Sequence, residues 1–180
     1  MDRHRLVRPP ALPMVLGVTD GILNALTLAT GAVLRASGER LGPGLAVRVG
    51  IASCVTAAVT MFVADYAERR VGLVRASREI NLVEPGALAS TRLGVDVARE
   101  SMLAAAVAAV ASLVGACGPL LLGAALPGPV WLAPVLSVAL LGVLGAVLAT
   151  MFHGRRSIWV VGLLVAGVVV LVLGAVLDIA

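Results

Sequence analysis

Apolar residues run along this chain in blocks of about twenty, and charged residues fall almost entirely between the blocks. That spacing suits a hydrocarbon core about 30 Å thick, which an α-helix crosses in about 20 residues. Cutting the sequence at its charges and Pro/Gly clusters predicts five membrane spans, at 12–34, 45–66, 101–125, 130–152 and 157–177. No charge occurs between Glu100 and Arg155, a stretch too long for one helix, and Leu126-Pro127-Gly128-Pro129 marks the turn that divides it. Arg48 falls near the start of the second span and must snorkel. Segment 67–100 predicts a short cytoplasmic helical loop, two short helices broken at Glu84-Pro85-Gly86, where Pro favours a helix start. The expected fold class is all-α, a single membrane domain over 1–180.

Composition agrees, with 60% hydrophobic residues and 13% charged in 180 residues, outside the range of a soluble globule. The net charge of +4 comes from fourteen basic residues, all Arg, most of them beside apolar runs. They act as topology signals rather than as a nucleic-acid stripe. Alternate loops hold eleven Arg against three. By the positive-inside rule the N-terminus, segment 67–100 and the Arg155-Arg156 turn are cytoplasmic and the C-terminus is external. Cys54 and Cys117 are isolated in apolar segments, so neither a disulfide framework nor a structural zinc site is expected. The basic start, with Arg3, Arg5 and Arg8, resembles a signal-peptide n-region, but the following run carries Asp20 and Asn24 and reads as a retained first helix.

Asp20 is the residue that composition leaves unexplained. An Asp at the centre of a spanning helix costs about 2.5–3.5 kcal/mol, and the usual reason to find one is an ion, proton or substrate path. Positions three, four and seven apart share a helix face, so Asp20, Asn24, Thr27 and Gly31 form one polar stripe. Beside it Gly17, Gly21, Ala25 and Ala29 repeat every four positions, a small-residue ridge that predicts association of two copies through the first helix. The second span offers Cys54, Met61 and Asp65 on one face and Ser53, Thr56 and Thr60 on the next. Carboxylate, amide, hydroxyl and thioether together suit a partly dehydrated divalent cation.

Each candidate has a plainer reading. Asp20 can be a structural carboxyl bonded to a neighbouring helix, Met61 core filler and Cys54 a small buried hydrophobe. Asp65 lies at the cytoplasmic end of its span, where a carboxylate is inexpensive. His153 beside Arg155 reads as an interfacial anchor. Segment 67–100 carries more Arg than acid, which makes it a poor cation trap. No nucleophile–base pair and no metal-hydrolase spacing points to an enzyme, and no cofactor is expected.

Two stretches carry a family resemblance. Gly17-Val-Thr-Asp20-Gly21-Ile-Leu-Asn24, continuing to Gly31, and Thr60-Met61-Phe-Val-Ala64-Asp65-Tyr66-Ala-Glu68 resemble the vacuolar iron transporter family of iron and manganese carriers. The Asp-Gly of the first span and the Met followed five residues later by Tyr are the matching signatures. The resemblance implies a homodimer whose first spans line a path exchanging Fe2+ or Mn2+ for protons, with Asp20 and Met61 as ligands. Asn24 and Asp65 are the weaker candidates. Two departures stand out: Ser53 replaces a Glu eight residues before the Met, and the Glu-rich cytoplasmic helices are reduced to a short Arg-rich loop. A second expectation follows from them, a non-transporting membrane assembly or sensor protein on the same fold.

Overall fold

The computed structural model describes residues 11–34, 43–79, 92–126, 129, 131–151 and 154–177. Five helices account for nearly all of them: α1 (Ala11–Leu34), α2 (Pro43–Glu79), α3 (Arg92–Ala125), α4 (Leu132–Met151) and α5 (Arg156–Leu177). There is no strand among the described residues. All five helices are long and apolar enough to cross a membrane. Pro43 occupies the first position of α2, where its missing N–H is not needed. Pro119 lies inside α3 and is fully buried.

Close approaches set the directions of the helices. A side chain at Gly17 would meet Ala108, and one at Gly21 would meet Ser112, so α1 and α3 run parallel. Gly50 lies against Cys117 while Arg69 pairs with Glu100, which makes α2 antiparallel to α3. Gly145 packs on Val160 and Gly142 on Leu164, so α4 and α5 are antiparallel. Helix α1 touches all four others and is the centre of the bundle. Ile22 and Leu26 pack on Leu141 of α4, and Ala25 and Ala29 on Ala46, Leu120 and Ala133.

These directions bring the start of α1, the end of α2, the start of α3 and the α4–α5 turn to one end of the bundle. Arg69, Arg70, Arg75, Arg78, Arg92, Arg99, Arg155 and Arg156 all belong to that end, and Arg48 to the other.

Two features differ from the reading of the sequence. Helix α2 continues past 66 to Glu79, and α3 begins at Arg92 rather than at 101. The described flanks of segment 67–100 are therefore continuations of α2 and α3, not separate short helices; the Glu84-Pro85-Gly86 break lies outside the described residues. The apolar run ends before the helix does, because backbone hydrogen bonding does not depend on apolar side chains. Here it is helped by Asp65–Arg69 one turn apart and by Arg69 reaching Glu100 across the helix pair. At 37 and 34 residues, α2 and α3 are roughly 55 and 50 Å long, about 20 Å more than a hydrocarbon core requires.

The second difference concerns the small-residue ridge. Gly17, Gly21, Ala25 and Ala29 are all buried within the single chain. The first two sit against backbone of α3, and Gly115 of α3 returns the contact, since its side chain would fall 2.6 Å from the Val18 carbonyl oxygen. The ridge is used inside the bundle, Gly17 and Gly21 against α3 and Ala25 and Ala29 against Ala46, Leu120 and Ala133, so it is not free to meet a second copy. Small-residue spacing announces a close helix contact without saying which helix makes it.

Candidate functional site around Asp20

The α1–α3 contact puts Asp20 beside Ser112. The Ser112 hydroxyl donates to Asp20 Oδ2 at 3.2 Å, and Asn24 Nδ2, one turn along α1, donates to the same oxygen at 3.4 Å. Asn24 Nδ2 also donates to Ser53 Oγ on α2 at 2.8 Å. Ser112, Asp20, Asn24 and Ser53 thus form one polar chain across α3, α1 and α2. Ser112 and Ser53 are buried, at 0% and 3% exposure, while Asp20 and Asn24 are half-buried.

The two oxygens of Asp20 differ. Both donors go to Oδ2, and Oδ1 has no hydrogen-bond partner among the described residues. Nor is Oδ1 sealed in: the only buried side-chain polar atom without a partner among those residues is Ser101 Oγ. One carboxylate oxygen accepts from two neutral donors, and the other is left without a partner and not enclosed.

The remaining candidates divide. Thr27 turns its hydroxyl back to the Leu23 carbonyl at 2.9 Å, so among the described residues the polar stripe of α1 bonds to other helices only at Asp20 and Asn24. Thr56 and Thr60 are exposed and bond to carbonyls of their own helix, at 3.0 and 2.8 Å. Cys54 is a free, half-buried thiol, and Cys117 donates to the Ala46 carbonyl at 3.5 Å. Asp65 accepts from Arg69 Nε at 2.7 Å, and the same guanidinium reaches Glu100, so this carboxylate is engaged in joining α2 to α3.

Met61 is half-buried and makes no polar contact among the described residues. Its height follows from the antiparallel register of α1 and α2. Ser53 is level with Asn24; from there Asp20 lies about 6 Å and Met61 about 12 Å toward the Arg-rich end. Candidate groups therefore succeed one another in depth, from Asn24 and Ser53 through Asp20 and Met61 to Asp65. Asp20 and Met61 are separated by about one helical turn in height.

Ser112 is the site residue that sequence reasoning missed. It interrupts an Ala-rich run and would ordinarily pass as a small core residue. A signal was present, because Ala104, Ala108, Ser112 and Ala116 repeat every four positions and all are buried. That ridge complements the one on α1, and Ser112 is its polar member.

Among the described residues no three His, Cys, Asp or Glu side chains converge. A cation held by one chain would therefore meet Asp20 and otherwise neutral oxygen or sulfur ligands. No family model, curated protein or solved structure matches the chain.

Proposed function

We propose that this chain is a multi-pass membrane carrier that moves a divalent cation, Fe2+ or Mn2+, out of the cytoplasm in exchange for protons. The bilayer part of the reading is supported by the outward faces of the helices. On α2, Val47, Ile51, Val55, Val59 and Val63 are each 46–59% exposed, a continuous apolar ridge that lipid would cover and water would not.

The carrier part rests on one observation, the half-engaged carboxylate of Asp20. Ser112 and Asn24 fix Oδ2 and leave Oδ1 to bind a cation or, when the cation leaves, a proton. A single carboxylate leaves a divalent ion with an uncompensated charge in a low-dielectric setting. A homodimer that presents a second Asp20 would balance it, and this is the arrangement the motif resemblance implies. Met61, one turn nearer the Arg-rich end, would serve as a softer ligand on the way in. No covalent chemistry is assigned to the site.

The non-transporting reading draws on two observations. Ser53 supplies a neutral acceptor to Asn24 where the family pattern has an acid, and Asp65 is already neutralised by Arg69. Uptake of Fe2+ and Mn2+ into proteoliposomes separates the two. Asp20→Asn keeps size and hydrogen-bonding reach but removes the charge, and should lower transport at least tenfold while the protein still inserts. Wild-type rates in that variant would leave the assembly or sensor reading standing.

A further inference from the structure

Two apolar grooves flank the first half of α1, and no described residue fills them. One, about 500 Å³, lies between α1 and α3 and is bounded by Met14, Val18, Leu103, Ala106, Val110 and Val114. The other, about 290 Å³, lies between α1 and α4 and is bounded by Met14, Val18, Leu144, Val147 and Met151. Met14 and Val18 line both, so they form a ridge with a slot on either side. The slots exist because α3 and α4 meet each other little, while α1 is packed against both.

Depth and charge identify the occupant. From Leu103 to Val114 the first groove follows α3 for roughly 16 Å, about half of a 30 Å hydrocarbon core, which is one leaflet. That leaflet is the one at the Arg-rich end. On the α3 wall Arg99 sits one turn before Leu103, on the same face. On the α4 wall Arg155 and Arg156 follow within five residues of Met151. All three are exposed, and none has an ion-pair partner among the described residues, whereas Arg69 is paired twice.

We infer that this double groove is a binding site for an anionic glycerophospholipid, with one acyl chain on each side of the Met14–Val18 ridge and the headgroup phosphate at Arg99, Arg155 and Arg156. A helix of a second copy fits less well. At a diameter of about 10 Å it would ride on the ridge and leave both slots empty. A two-fold axis along the bundle would also bring like Arg clusters side by side. The inference depends on the bilayer reading above but not on the metal cargo, and its test does not involve transport.

The test is native mass spectrometry of the full chain taken from micelles containing equimolar phosphatidylglycerol and phosphatidylcholine with identical acyl chains. Wild-type protein should retain phosphatidylglycerol roughly tenfold over phosphatidylcholine, in keeping with several basic side chains acting near one phosphate. The triple variant Arg99→Gln, Arg155→Gln, Arg156→Gln should lose that preference while still carrying lipid. Ala106→Trp, which fills the larger slot, should reduce retention of both lipids. Equal retention of the two lipids by wild type, or an unchanged preference in the triple variant, would overturn the proposal. So would Ala106→Trp converting a dimer to a monomer with bound lipid unaltered, which would make the face a contact between copies.

Discussion

Gly21 and Ser112 are in direct contact through backbone: a side chain on Gly21 would collide with the Ser112 carbonyl oxygen, while the Ser112 hydroxyl reaches across to Asp20. One contact therefore serves both the fold and the candidate site. Gly21→Ala should push α1 from α3 and cost about 1–3 kcal/mol of stability, as overpacking generally does. Gly21→Leu should be harsher. Thermal unfolding in detergent should show the loss in the protomer itself, since the ridge is already covered by α3. A variant with unchanged unfolding but a lost dimer would return the ridge to an intermolecular role.

Ser112→Ala removes one of the two donors to Asp20 Oδ2 and leaves Asn24 as the other. Stability should fall only slightly, about 0.6 kcal/mol, the average for hydrogen bonds between membrane helices. Transport should fall severalfold, because the carboxylate loses its fixed orientation. Asn24→Ala should be worse than Ser53→Ala, since Asn24 connects to both Asp20 and Ser53. Wild-type transport in all three variants would show that the polar chain is structural only.

Asp65→Asn should matter far less to transport than Asp20→Asn, because the Asp65 carboxylate already serves Arg69. Its removal should cost at most about 1 kcal/mol, the usual range for a partly exposed ion pair. Parallel uptake assays on the two variants would check this. A loss in Asp65→Asn as deep as in Asp20→Asn would place Asp65 on the ion path.

Met61→Leu conserves volume and removes the thioether, so it should leave folding intact and change preference among metals more than overall rate. Competition between Mn2+ and a softer ion such as Co2+ in the same uptake assay gives the readout. An unchanged preference would return Met61 to the role of core filler.

Orientation is open to a direct check. With Arg69, Arg70, Arg75, Arg92, Arg99, Arg155 and Arg156 at one end, a phosphatase fused at the C-terminus should be active and a fluorescent protein dark. The reverse pattern would invert the bundle in the membrane.

Five helices were legible in the sequence because apolar runs and charges alternate at the length of a membrane crossing. The ends of α2 and α3 were not. The rule that finds a span stops at the last apolar residue, while Asp65, Arg69 and Glu100 continue the helices by pairing charges on their surfaces. At the site, Asp20 and Asn24 could be read from one helix alone, since a charge in an apolar run is conspicuous wherever it packs. Ser112 could not, because its role depends on which helix lies across from Asp20, and that is a property of the assembled bundle. The same limit explains the ridge of Gly17 and Gly21, whose spacing was visible and whose partner was not.

The central position of α1 has a consequence for biogenesis. Helix α1 is made before the four helices it packs on, and Ser112 is separated from Asp20 by 92 residues of chain. At about 5–20 residues per second of synthesis, Asp20 is in existence for roughly 5–20 s before its donor from α3 is made. On the bilayer reading, a carboxylate costing about 2.5–3.5 kcal/mol at mid-membrane has during that interval only Asn24, on its own helix, as a partner among the described residues. On the same reading, the nascent helix would therefore be sheltered at the insertion machinery, or lodge shallowly and sink to its final depth when α3 arrives. Chains stalled between α2 and α3 should accordingly be the stage most prone to degradation.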